Sequence, residues 1–88
     1  MIIVSQDKDN VINYDNVKSL WIDDNVLDKT NTTFYINADD DFLGEYETEE
    51  RAKEILQEII SKYKTTLYNS KKNETVVNIP KVYKMPED

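Results

Sequence analysis

The chain contains no cysteine and no histidine. The first absence excludes disulfides, thiolate metal sites, iron–sulfur clusters and cysteine nucleophiles. The second removes the commonest general base and the commonest metal ligand, so the four serines have no imidazole to activate them. Glycine occurs once, at Gly44, which rules out the glycine-rich loops that cradle phosphates. Arginine also occurs once, at Arg51, against ten lysines, and arginine is the residue suited to bidentate phosphate and base-edge contacts. The N-terminal Met1-Ile-Ile-Val-Ser-Gln-Asp has neither the basic start nor the apolar run of a signal peptide. No apolar run approaches the roughly 18 residues of a membrane span. These features lead to the expectation of a cytoplasmic, non-enzymatic protein with no cofactor and no bound metal.

What is present is globular in character. The chain has 88 residues, of which 39% are hydrophobic and 33% charged, and its formal net charge is −7. That length corresponds to one small domain, 1–88, with a modest core. The negative charge disfavours direct contact with nucleic-acid phosphates and with anionic membrane surfaces.

Ile2–Val4 and Val11–Tyr14 are short β-prone runs separated by the turn-forming Gln6-Asp7-Lys8-Asp9-Asn10, so 2–14 is expected to form a hairpin. Val17–Ile22 alternates with apolar residues on both faces, the pattern of a central strand, ended by Asp23-Asp24-Asn25. A loop over 25–31 leads to Thr32–Ala38, with Phe34, Ile36 and Ala38 on one face and Thr33, Tyr35 and Asn37 on the other. Because Tyr35 points away from Phe34 and Ile36, one sheet face is expected to carry an exposed aromatic patch. Asp39-Asp40-Asp41 reads as a turn and 42–46 as a fifth strand, whose lone Gly44 signals a bulge or a close backbone approach.

Thr48 is an N-cap, followed by Glu49 and Glu50 where the helix dipole favours negative charge. Ala52, Ile55, Leu56, Ile59, Ile60 and Tyr63 then form one apolar stripe, which predicts a helix over about 48–64. Thr75–Ile79 resembles a late strand, Pro80 confines the residues after it to an edge, and 85 onward reads as a tail. The expected fold is α+β: an antiparallel sheet of about five to six strands with one amphipathic helix packed on one face. A small open barrel capped by the helix is the alternative.

Counted from Asn37, an EF-hand loop would place Phe42 where glycine is required and Thr48 where the bidentate acid belongs, so that motif fails. Charge is segregated along the chain. Residues 39–58 hold nine acids and two bases, whereas 59–84 hold six lysines and one acid. Helix-dipole preferences account for Glu49, Glu50, Lys62 and Lys64. They do not account for Asp39, Asp40 and Asp41, or for the like-charged pair Glu50 and Glu54 on the outward helix face. With Glu58 on its flank, this set is the candidate partner-binding surface, set against the plain alternative of a solvated face.

Three stretches together span most of the chain: Ile2–Lys8 leading to Tyr14-Asp15-Asn16-Val17, Leu43–Ala52 with the helix behind it, and Val82–Glu87. In these the chain resembles small uncharacterised proteins carried by prophages and conjugative elements of low-GC Gram-positive bacteria. The resemblance implies a mobile-element accessory protein, a stoichiometric inhibitor of a host defence protein or an adaptor, and it brings no catalytic motif. The leading expectation is therefore a protein binder acting through an acidic surface. A sponge for a small nucleotide signal, held by Lys62, Lys64, Lys71, Lys72, Lys81 and Lys84, is a second reading. A structural or regulatory adaptor is a third, and self-association is open in each.

Overall fold

A computed structural model describes residues 1–72 and 81–88, and the side chains of 1–64 and 81–88. The expected late strand at Thr75–Ile79 lies outside the described residues. Among the described residues the fold is α+β, with one α-helix and two three-stranded sheets rather than one sheet of five or six strands.

The first sheet contains β1 (Ile2–Val4), β2 (Val11–Asn13) and β6 (Val82–Lys84), in the order β2-β1-β6. β1 and β2 form the expected hairpin, with Ile3 opposite Ile12. β6 pairs with β1 in parallel, setting Tyr83 beside Ile3. The second sheet is an antiparallel meander of β3 (Leu20–Val26), β4 (Thr32–Ala38) and β5 (Asp41–Tyr46), with β4 in the centre.

The division follows from how the chain leaves β2. After β2 the chain makes a 3-10 turn over Tyr14–Asn16, capped by the Asn13 side chain on the Asp15 N–H. The next amides, Lys18 and Ser19, are taken by the Asp39 carboxylate instead of a strand partner. β2 therefore has no continuation into β3, and β3 starts at Leu20 rather than Val17. It also runs through Asp23-Asp24-Asn25 instead of ending there, and among the described residues it is an edge strand rather than a central one. An edge keeps those polar side chains solvated while β4 satisfies one side of the backbone, which is how edge strands tolerate charge.

α1 (Glu49–Lys72) begins where the cap signal places it, with the Arg51 N–H donating to Thr48 Oγ1 at 3.1 Å. It extends past the expected end near residue 64, since 65–72 contain no proline or glycine to stop it. Ala52, Ile55 and Ile59 are fully buried against Ile36, Ala38, Leu43 and Tyr46 of the second sheet and Ile3 and Tyr83 of the first. One core thus joins both sheets and the helix.

The expected bulge is present. The β4–β5 register shifts at Ile36/Asn37, leaving Leu43 as the extra residue and turning it into the core. What approaches Gly44 is a side chain rather than backbone, the Tyr46 ring. Residues 85–88, expected as a tail, are docked. Met85 is buried and its N–H donates to the Val4 carbonyl, while the Pro86, Glu87 and Asp88 carbonyls accept from Tyr46 Oη, Gln6 Nε2 and Arg51 Nε.

Candidate functional site

The six acids singled out from the sequence do not form one surface. Asp39 turns at φ 52°, a left-handed conformation that aspartate tolerates. Its carboxylate accepts from the Lys18 and Ser19 N–H groups and from Ser19 Oγ. Those bonds, the Lys18 amide first, hold its carboxyl below the ordinary aspartate range. Asp39 is therefore a structural clamp at the start of β3. Asp40 and Asp41 are exposed beside it.

Glu50, Glu54 and Glu58 lie elsewhere, since α1 starts at the far end of β5 from that turn. Six strand residues separate the two ends, a span of roughly 20 Å at the usual rise. The helix acids line an open groove against β6, and lysines share it: Lys53, Lys62 and Lys84 face the same space. Glu54 lies 3.4 Å from Arg51 Nη1, and Glu58 accepts from Tyr83 Oη at 2.8 Å. This groove is balanced in charge rather than acidic.

The same groove bears on the lysine cluster. Lys62 Nζ donates to the Val82 carbonyl at 3.0 Å and sits 5.8 Å from the Tyr83 ring centroid. Lys84 shares the groove with three glutamates, an environment unfavourable to phosphate.

The outer face of the β3–β4–β5 sheet is different. The register places Trp21, Asp23 and Asn25 of β3 beside Asn37, Tyr35 and Thr33 of β4, and Phe42 and Glu45 of β5 beyond them. This face points away from the helix, whose stripe covers Ile22, Phe34 and Ile36 on the opposite side. Trp21 is 42% exposed, with its indole fixed by an Nε1–H bond to the Asp39 carbonyl at 3.0 Å. The Tyr35 and Phe42 rings meet edge to face, with centroids 5.4 Å apart. Tyr35 Oη accepts from Asn25 Nδ2 at 2.7 Å, and Thr33 Oγ1 donates to the Glu45 carboxylate.

Among the described residues, three aromatics, two carboxylates and no lysine or arginine thus share one face by register. The alternation around Tyr35 signalled outward-facing aromatics, but of the expected exposed patch only Trp21 is exposed, Tyr35 and Phe42 being half-buried. Trp21 and Phe42 were not marked in the sequence as its members, because the edge position of β3 and the bulge that turns Phe42 outward are set by long-range pairing.

No protein-family model matches the chain, and comparison with curated proteins and with solved structures returns no match. Among the described residues, no helix is long and apolar enough to cross a membrane.

Proposed function

We propose that this chain is a non-catalytic protein-binding module that docks a basic partner surface on the outer face of its β3–β4–β5 sheet. The observation that carries this reading is exposed Trp21 beside half-buried Tyr35 and Phe42 on a face that holds Asp23 and Glu45 and, among the described residues, no base. Aromatic side chains are enriched at protein interfaces because they bring large contact area at low entropic cost. Fixed rings beside carboxylates also suit arginine and lysine, through ion pairing and through cation–π contact. Asp40 and Asp41 continue the negative rim at one end of the face.

The resemblance to mobile-element proteins gives the module a role: inhibition by occupancy. The surface is held against the basic region where a host defence protein, such as a nuclease, receives phosphate. The charge-balanced groove beside Glu50, Glu54 and Glu58 supports docking of a basic partner less well than the sheet face does.

The test is affinity capture from host-cell extract with three proteins: the wild type, Trp21→Ala/Tyr35→Ala, and Glu50→Lys/Glu54→Lys. The expected result is one partner retained at equal stoichiometry by the wild type and the helix variant, lost from the sheet variant, and released as salt rises. A melting point raised by cyclic di- or trinucleotides, with no stoichiometric protein captured, would instead establish the nucleotide sponge.

A further inference from the structure

The two edges of the β3–β4–β5 sheet are treated differently. At β5 the edge is closed: the Gln6 N–H donates to the Leu43 carbonyl at 2.7 Å, and the Gln6 side chain holds both backbone groups of Glu45. At β3, among the described residues, only β4 is paired. β3 is seven residues long, and Val26 and Leu27 at its end are 64% and 62% exposed. A strand in this state presents a row of unpaired N–H and C=O groups, the template that strand addition uses.

We propose that the β3 edge receives an extended segment of the partner as a fourth strand, with lysine or arginine at alternate positions. This rests on the protein-binding reading above and states how the partner is held. Charge decides between occupants. Asp23 and Asp24 sit mid-strand, one on each face. An added strand brings its side chains to about 4.5–5.5 Å from theirs on both faces.

A second copy of this chain, pairing antiparallel about the middle of β3, would set aspartates against aspartates, and like charges directly opposite are destabilising. The acids that protect the edge from self-pairing are those that select a basic strand. A cationic side chain opposite Asp23 meets a carboxylate, with the Trp21 ring two residues along the same face, within reach of a cation–π contact. Backbone pairing supplies length and direction, and the outer face supplies specificity.

The test uses the whole chain, labelled with 15N, and three capped heptapeptides as probes. One alternates lysine with threonine, one has the same charge with a central proline, and one carries glutamate in place of lysine. The alternating lysine peptide is expected to give saturable shifts at the amides of 20–26 and at the Trp21 indole. The other two should bind at least about tenfold more weakly, since proline cannot join the ladder. Asp23→Lys/Asp24→Lys should invert the preference toward the glutamate peptide.

Equal binding of the proline peptide would mean diffuse attraction to an acidic chain and would overturn the proposal. So would shifts confined to the helix, or no saturable shift at 20–26. With the captured partner, retention by Asp23→Lys/Asp24→Lys and loss by Trp21→Ala/Tyr35→Ala would overturn strand addition while leaving face docking in place.

Discussion

The side-chain amide of Gln6 acts toward Glu45 as a backbone peptide would. Gln6 Oε1 accepts the Glu45 N–H at 2.8 Å, and Gln6 Nε2 donates to the Glu45 carbonyl at 3.0 Å. The same nitrogen reaches the Glu87 carbonyl at 2.7 Å, so one glutamine ties the first sheet, the second sheet and the C-terminal segment together. Gln6→Ala should cost about 1–3 kcal/mol, because it leaves three backbone groups unpaired at a partly buried seam. Urea unfolding checks this. A loss below about 0.5 kcal/mol, the usual range for a surface residue, would show that water replaces the amide fully.

Gly44 is required by a neighbour rather than by its dihedral angles. A Cβ at this position would lie 2.8 Å from Cε2 and from Oη of Tyr46. That ring cannot easily yield. It is 2% exposed, its Oη donates to the Pro86 carbonyl at 2.7 Å, and burial pushes the phenol pKa up to about 12. Gly44→Ala should therefore destabilise by about 1–3 kcal/mol, the usual cost of overpacking. In a Tyr46→Leu background the same change should cost less than about 0.5 kcal/mol, giving a coupling term in a double-mutant cycle. Additive effects would contradict the steric explanation.

Acid stability follows from Asp39. Its folded-state pKa is lowered by the Lys18 and Ser19 amides, so the unfolded chain binds its proton first as pH falls. The stabilisation is complete above the unfolded value of about 3.9 and is lost as pH drops through the lower folded value. Asp7, Asp15 and Asp28 are lowered in the same direction by hydrogen bonds from Ser5, Tyr63 and Thr30. Asp39→Asn should lower Tm at neutral pH and flatten the fall in Tm below about pH 4 relative to the wild type. Parallel acid limbs for the two proteins would show that the clamp does not titrate with folding.

Local signals were legible in the sequence and distant pairings were not. The Thr48 cap and the stripe from Ala52 to Tyr63 depend on spacing within one element; the helix starts where the cap indicates and packs through Ala52, Ile55, Leu56, Ile59 and Tyr63, while Ile60 stays outside the core cluster. Thr32–Ala38 was equally plain, since its alternation matches the pleat residue for residue. The limits of β3 were not, because Asp23-Asp24-Asn25 are turn formers by propensity and strand residues by virtue of an open edge. The division into two sheets depends on Asp39 reaching back 20–21 residues to Lys18 and Ser19, and on Gln6 reaching forward 39 to Glu45. Neither contact leaves a periodic trace. The acidic run at 39–58 was visible as composition, but only the fold shows that its turn and helix portions stand at opposite ends of β5.

The most direct measurement is the affinity of the captured partner, by calorimetry, for the wild type, Trp21→Ala/Tyr35→Ala and Glu50→Lys/Glu54→Lys, each confirmed folded by circular dichroism. Loss of two central aromatic anchors should weaken binding by at least about tenfold, whereas inverting two helix-face charges should change it by no more than about twofold. A helix variant that loses the partner, with the sheet variant binding at wild-type strength, would contradict docking on the β3–β4–β5 face.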